Sequence, residues 1–280
     1  MPKLNYKKIL LLPVLFVLGL LFCLIGGVSE LPLQIEKLKI KVESPTSFEF
    51  KDYDLLLGKY VKNGLIDYAS LKKDPGLELA YSQLEKTSPT QLKGKLEELC
   101  FWVNCYNFLI IKNITEQYPT ENIAPKSGNA SYIVGGEIYR INQIRDEVLP
   151  DLIGTVDWRA VFLLCNGNLS APKIASHAYR AAIVSEDIDH AFENFVTSKE
   201  NYRVNEAKKD FSISPFYLWN YKYFSQKYSS AFEMVNETFP QGKQLNLDAV
   251  TRSYSMPYDR RINDLALVEK LKTGEKDSSK

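Results

Sequence analysis

The segment from Cys100 to Ile111, CFWVNCYNFLII, most restricts how this chain can fold. Apolar residues cover nearly the whole circumference of a helix between Leu99 and Ile114, which is typical of a helix at the centre of its domain. Asn104 and Asn107 lie three residues apart and therefore share one face. A buried amide without a partner costs about 1–3 kcal/mol. We therefore expect both side chains to anchor the backbone of facing loops, with the lining of an active site as the alternative.

The helix that carries this segment is predicted to begin at Ser88. Ser88 is a suitable N-cap, Pro89 fits the first helical turn, and Gln91 stands at the capping-box position. Pro119 ends the pattern because proline cannot continue a helix, so the helix should run to about Tyr118.

The N-terminus predicts a membrane anchor. Three lysines within residues 1–8 precede Ile9–Val28, a run of twenty residues without a charge. As a helix rising about 1.5 Å per residue, this run spans the roughly 30 Å hydrocarbon core of a bilayer. The lysines favour a single-pass protein with a cytoplasmic N-terminus and an extracytoplasmic main domain. A cleavable signal peptide is the alternative, since GGVS offers a cut at Gly27 or Ser29 and the product would be secreted or periplasmic.

The rest of the sequence predicts a helix-rich α+β fold: a single domain with a small mixed sheet and a long central buried helix. Gly135-Gly136 indicates a first hairpin, and the segment 202–214 indicates a second. Ala160–Cys165 is a continuous apolar run that predicts a central buried strand. The segments in chain order are a cytoplasmic basic N-terminus (1–8), the anchor or signal peptide (9–28), a linker (29–49), the main domain (50–265) and a charged tail (266–280).

Three further helices follow from local signals. One covers the segment 142–150 and should end at Pro150, because proline interrupts helices. A second should begin behind a Ser185 cap, and a third at Ser214-Pro215.

Charge and cysteine content exclude several classes of protein. Lys and Arg number 35 against 34 Asp and Glu, a balance that argues against a nucleic-acid binder working by charge alone. Beyond the anchor, only Cys100, Cys105 and Cys165 remain, and no C-x-x-C motif occurs. We therefore predict no metal site and no cofactor, and the cysteines are expected to be buried apolar residues.

Several segments of the main domain resemble one family. FWVNCYN, Phe101 to Asn107, is similar to the FWxNxYN signature of the domain of unknown function 547 (DUF547). The resemblance extends in order and spacing over nearly all of residues 50–265. The other similar segments are YDLLLGKYVKNGLIDYASLKKD, VGGEIYRINQI, VDWRAVFLLCNGNLSAP, SISPFYLWNYKYF and YDRRIN.

The chain departs from this family where the resemblance implies chemistry. Val161 stands where members usually carry a histidine, and Ala171 replaces the cysteine of a Ser-Cys-Pro loop. Arg145 and Asp146 replace a frequent Glu-His pair. A cysteine with a histidine would imply a thiol hydrolase, since a nucleophilic thiol needs a base. Valine and alanine transfer no proton, so the sequence argues against an enzyme of that kind.

Other residues could in principle replace the missing pair. Cys165 with His177 is one possibility, although His177 and His190 both lie on or beside amphipathic helical sequence. Convergent carboxylates are the other, from Asp67, Asp157 and Asp259, with a simple pairing of Asp259 and a neighbouring arginine as the plainer explanation.

These observations predict a membrane-anchored extracytoplasmic module of the cell envelope that binds or scaffolds without catalysis. Its partners would be an envelope protein or a small ligand, and no nucleic acid. The alternatives are an envelope hydrolase using carboxylates or Cys165, and a structural partner of membrane proteins with a contact patch in FYLWNYKYF, residues 216–224. No catalytic residue is assigned. The candidate pocket comprises Asn104, Tyr106, Asn107, Asp157, Cys165, Asn166, Tyr258, Asp259 and Asn263.

Overall fold

The computed structural model of the protein describes residues 50–123 and 127–273. The predicted anchor and linker, residues 1–49, and the last part of the tail, residues 274–280, lie outside them. Within the described ranges, no helix is both long and apolar enough to cross a bilayer.

The described chain is rich in helices and short strands. The α-helices are α1 (Lys51–Tyr60), α2 (Tyr68–Leu71), α3 (Gly76–Lys86), α4 (Lys95–Gln117), α5 (Ile141–Gln143), α6 (Leu149–Val156), α7 (Val184–Thr197), α8 (Pro215–Trp219), α9 (Ala231–Glu237) and α10 (Leu265–Thr273). The strands are β1 (Val61–Lys62), β2 (Leu65–Ile66), β3 (Ser131–Val134), β4 (Glu137–Arg140), β5 (Tyr202–Asn205), β6 (Asp210–Ile213) and β7 (Arg252–Ser255). Helical turns of 3₁₀ or π type cover Pro89–Gln91, Ser127–Asn129, Ile144–Val148, Trp158–Leu163, Tyr221–Tyr223 and Leu247–Ala249.

Helix α4 is the predicted central helix, and every residue from Leu99 to Thr115 is buried. The predicted start at Ser88 is wrong. Pro89–Gln91 forms one separate turn. The Ser88 hydroxyl contacts the Thr90 hydroxyl at 2.8 Å and caps no backbone N–H. The helix begins after Gly94, whose φ of 88° lies in the left-handed region that favours glycine. Its end at Gln117, just before Pro119, agrees with the prediction.

The two predicted hairpins are present, and one belongs to a small mixed sheet. Strands β3 and β4 pair antiparallel around Gly135-Gly136, both of which have positive φ. Strands β5 and β6 form the second hairpin, and β7 pairs parallel with β6 to complete a three-stranded sheet.

The predicted buried strand at Ala160–Cys165 is wrong, since the chain there forms the 3₁₀-helix Trp158–Leu163. Asp157 starts this helix because its carboxylate accepts the N–H of Arg159 at 2.9 Å. The backbone groups that a strand would offer to a neighbour are taken by a side chain of α4, described below. The run is fully buried as predicted, but burial alone does not distinguish strand from helix.

Two of the three predicted helix boundaries are also wrong. The helix after the first hairpin does not end at Pro150: α5 leads through the π-helix Ile144–Val148 into α6, and Pro150 occupies its first turn, where no N–H is required. Ser185 caps nothing, because it lies inside α7, which begins behind Ile183. Ser214 does cap α8, since its hydroxyl accepts the N–H of Phe216.

A cluster of aromatic rings packs α7 and α8 against the 3₁₀-helix. The ring of Phe162 lies 5.2–5.4 Å from the rings of Phe192, Phe195 and Phe216. Within the proposed contact patch, residues 216–224, Phe216, Tyr217 and Phe224 are buried in the core, and Tyr221 and Tyr223 are partly buried against it. The large side chains of the patch that remain exposed are those of Leu218 and Trp219.

Candidate functional site

Asn104 and Asn107 hold two loops against the central helix. The amide of Asn107 donates to the carbonyl of Leu163 at 2.9 Å and accepts the N–H of Cys165 at 2.8 Å. The amide of Asn104 does the same with the carbonyl and N–H of Tyr179, at 2.8 and 2.9 Å. Both side chains are fully buried. These contacts are the loop anchors that the sequence predicts.

The thiol of Cys165 is enclosed. Its sulfur accepts the N–H of Gly167 at 3.4 Å and the amide of Asn263 at 3.7 Å. Burial raises its pKa to about 11, although those two donors act in the opposite direction. The thiol is therefore protonated at neutral pH, unlike a cysteine nucleophile.

Neither histidine completes a pair with Cys165. Nε2 of His177 contacts Oδ1 of Asp187 at 2.8 Å, and His190 is exposed on α7. Over the described ranges, no hydrogen bond joins the Cys165 thiol to an imidazole.

Asn263 connects residues 165–172, called the Cys165 loop below, to the N-terminal part of the domain. Its amide accepts the hydroxyl of Tyr68 at 2.9 Å and donates to the carbonyl of Gly64 at 3.2 Å. Its backbone N–H donates to the carbonyl of Gly167, and its carbonyl accepts the N–H of Ile66. This asparagine therefore fixes the position of three chain segments.

A second polar cluster surrounds Asn166. Its amide oxygen accepts the hydroxyl of Tyr106 at 2.7 Å. Burial raises the pKa of Tyr106 well above its ordinary value, an effect opposed by the nearby guanidinium of Arg145. The Tyr258 hydroxyl is buried and makes no hydrogen bond of good geometry among the described residues, although the amides of Asn166 and Asn168 lie near enough to oppose the rise that burial causes in its pKa. Its ring packs on that of Trp219 at 4.8 Å.

The three candidate carboxylates have separate structural contacts. Asp67 caps α2 through the N–H of Ser70. Asp157 pairs with Arg159 at 2.7 Å. Asp259 pairs with Arg261, which is the simple arginine pairing that the sequence analysis gave as the alternative to catalysis. This arginine lowers the pKa of the Asp259 carboxyl. In the described part of the chain, no contact brings these carboxylates together.

An open groove of about 820 Å³ lies beside the Cys165 loop. Its floor includes Ser170, Ala171 and Asp259, and the N–H of Asp259 donates to the Ser170 hydroxyl at 2.9 Å. One wall is a face of α7 and the other is α10. Ala171 thus lines the groove.

Of the predicted pocket residues, only Asp259 lines this groove. Tyr106, Asn107, Cys165, Asn166, Tyr258 and Asn263 lie around the loop behind it, and Asn104 and Asp157 lie with other partners. The sequence analysis did not predict that α7 and α10 form the walls of a groove, nor that Lys62 and Lys173 line it. A usable signal was present in α10, where Leu265, Val268 and Leu271 recur every three residues.

Comparison with known families bears on the part of the chain that holds α4, the Cys165 loop and α7. Residues 89–196 match the family model described as Protein of unknown function, DUF547. The resemblance to DUF547 is confirmed for these residues. No curated protein and no solved structure matches the chain.

The DUF547 match covers seven of the nineteen residues that line the groove. Ser170, Ala171 and the α7 wall lie inside the matched residues, whereas Lys62, Asp259 and α10 lie outside them. Within residues 50–123 and 127–273, no group of three or more His, Cys, Asp or Glu side chains is placed to hold a metal ion.

Proposed function

We propose that this protein is a non-catalytic binding module of the cell envelope, anchored through residues 9–28, whose ligand site is the groove between α7 and α10. The observation that carries the proposal is the pairing of an open groove with an inert floor. Ala171 lines the floor where the resemblance to DUF547 implies a cysteine, and the Ser170 hydroxyl accepts the N–H of Asp259.

The state of the remaining candidate groups supports binding over catalysis. A thiol nucleophile needs a lowered pKa or a base, and the pKa of Cys165 is raised by burial. A general acid–base carboxyl works best with a pKa near the working pH, and the pKa of Asp259 is lowered by Arg261. Both pKa values are therefore shifted in the direction opposite to the one that catalysis would need.

The envelope location follows from the predicted topology of the N-terminus. An uncharged run behind lysines favours a main domain outside the cytoplasm. A C-terminal alkaline phosphatase fusion tests this, since the reporter is active only after export. Activity is expected, and an inactive fusion made at normal levels would contradict the envelope location.

Activity assays on the purified full chain test the absence of catalysis. We expect no turnover of peptide, ester or glycoside panels. Turnover that is lost in Cys165→Ala or Asp259→Asn, but kept in Ile138→Ala at an exposed position of β4, would overturn the proposal in favour of the hydrolase.

A ligand screen on the same protein tests binding. A ligand of the groove should raise the unfolding temperature of the wild type and not that of Val268→Glu, which places a charge on the α10 wall. Ile138→Glu, at an exposed apolar position outside the groove, is the matched control and should keep the response.

A further inference from the structure

Two lysines concentrate positive charge at one part of the groove. Lys62 ends β1 and Lys173 follows the Cys165 loop, and both line the groove beside the Asn63-Gly64 turn. The stem of Lys173 packs on Gly64 so closely that a Cβ there would lie 2.5 Å from the Lys173 Cβ. Neither ammonium group has an ion-pair partner among the residues described.

The lining holds as many acidic residues as lysines, so Lys62 and Lys173 matter through their position and not through a net charge. On α10, Glu269 and Lys272 both line the groove, three residues apart in sequence. Asp259 is paired with Arg261, which leaves Glu200 as the remaining acidic group of the lining. The turn between Lys62 and Lys173 is therefore the place for an anion.

The walls of the groove carry apolar side chains among polar ones, and those on α10 are incompletely covered. Ala191 and Phe195 lie on the α7 face, and Leu265, Val268 and Leu271 lie on α10. No residue of α10 is buried, and Leu271 is 48% exposed. Apolar side chains arranged along a concave surface are typical of a ligand site, and the volume falls within the range of about 300–1,000 Å³ for such sites.

Much of the described backbone around the groove is already hydrogen-bonded. The walls are helices, whose N–H and C=O groups bond internally. On the floor, the N–H groups of Leu169, Ser170 and Ala171 donate to the carbonyls of Arg261, Asp259 and Asn168. An extended peptide gains affinity from main-chain hydrogen bonds that these groups do not supply, whereas an acyl chain needs none.

We infer that the groove binds an anionic amphiphile, a single acyl chain that ends in a carboxylate or a phosphate. The chain lies between α7 and α10, and the head group lies between Lys62 and Lys173. This inference rests on the proposed function and narrows its ligand to one chemical class.

The test uses the full-length chain and three twelve-carbon photoprobes with a terminal diazirine: the fatty acid, the alkyl phosphate and the neutral alcohol. Mass spectrometry should place the cross-links in the segments 191–198 and 265–272.

Lys62→Gln/Lys173→Gln should weaken binding of both anions at least tenfold and leave the alcohol unchanged. Lys222→Gln, at a lysine outside the groove, should change none of the three, and Val268→Glu should weaken all of them. A preference for the phosphate indicates a lysophospholipid source, and one for the carboxylate a free fatty acid.

Two outcomes would overturn the inference: cross-links spread over other surfaces, or an anion affinity that the double variant leaves intact. A third outcome would also overturn it: no acyl probe binds, while another ligand stabilises the wild type but not Val268→Glu. In that case the proposal of a binding module would be kept, and only the acyl ligand would be given up. Turnover in the activity assays would end the non-catalytic proposal and leave the acyl site intact. The two failures are therefore distinguishable.

Discussion

The side-chain oxygen of Asn107 accepts the backbone N–H of Cys165 at 2.8 Å, across 58 residues of sequence. The same amide also donates to the carbonyl of Leu163. The Asn107 side chain therefore makes the two hydrogen bonds that a neighbouring strand would otherwise make to this segment. It also fixes where the loop that carries Ser170 and Ala171 leaves the core. The central helix thus determines the position of the groove floor without reaching the groove itself.

Loss of this anchor should destabilise the fold. In Asn107→Leu, the Leu163 carbonyl and the Cys165 N–H remain buried without partners, so we expect the free energy of unfolding to fall by about 2–5 kcal/mol. Urea denaturation measures the change. Asn194→Leu, at an exposed position of α7, is the matched control and should change stability by less than about 0.5 kcal/mol. Equal losses in the two variants would show that the anchor contributes nothing special.

Asn107 also shows why the sequence predicted burial better than local structure. The apolar run Ala160–Cys165 was correctly placed in the core and wrongly given as a strand. Periodicity cannot separate these states when every position is buried. The deciding contact comes from a residue more than fifty positions away, which no local pattern reports. Both hairpins were predicted correctly; in the first, Gly135 and Gly136 act locally at the turn.

The groove was hidden from sequence analysis for a related reason. The predicted pocket followed the family resemblance and therefore centred on the Cys165 loop. The groove instead combines Lys62, Lys173, α7 and α10, which are separated in sequence and meet only in the fold. Asp259 was predicted because it lies in the YDRRIN segment that resembles DUF547, and it also lines the groove.

Cys165 should be unreactive in the folded protein. Its pKa of about 11, against an ordinary 9.0, leaves roughly a hundredfold less thiolate at neutral pH, and burial slows access further. We expect a variant with Cys165 as its only cysteine to react with iodoacetamide at least a hundredfold more slowly than a cysteine placed at exposed Ser185. Unfolding in urea should remove the difference. Equal rates in the folded state would restore the thiol-hydrolase alternative.

Tyr106 and Tyr258 form a matched pair of hydroxyls near Asn166. Tyr106→Phe removes the donor of a buried 2.7 Å hydrogen bond and should lower stability by about 1–2 kcal/mol. Tyr258→Phe removes a buried hydroxyl that makes no hydrogen bond of good geometry to the nearby amides of Asn166 and Asn168, so stability should change by less than about 0.5 kcal/mol or rise. Thermal and urea unfolding of both variants give the comparison. A loss for Tyr258→Phe as large as that for Tyr106→Phe would reveal an unrecognised bond.

Asp74 should make stability depend on pH in the acid range. Its carboxylate accepts bonds from Lys59, Tyr60 and the N–H of Gly76, and these lower its pKa from 3.8 to about 2, with the Lys59 bond contributing most. Because the pKa is lower in the folded state, the stabilisation is complete above 3.8 and is lost as the pH falls through about 2.

The comparison of wild type with Asp74→Asn isolates this contribution. The stability difference between them should be constant from neutral pH down to about pH 5 and shrink as the pH falls further. Urea unfolding at a series of pH values measures it. Asp151→Asn, on α6, is the control at an exposed aspartate. A difference that grows towards low pH would contradict the assignment.

Gly64 and Gly242 separate backbone strain from close packing at the groove. Both have φ near +80°, so Ala at either position carries a left-handed penalty of about 1–2 kcal/mol. A Cβ on Gly64 would lie 2.5 Å from the Cβ of Lys173, whereas Gly242 has nothing within 4 Å. Gly64→Ala should therefore cost about 1–3 kcal/mol more than Gly242→Ala, because the loop that carries Lys173 must move. The same shift separates Lys173 from Lys62, so Gly64→Ala should also weaken binding of the anionic photoprobes while Gly242→Ala does not. Equal stabilities and equal affinities in the two variants would show that Lys173 is not held against the turn.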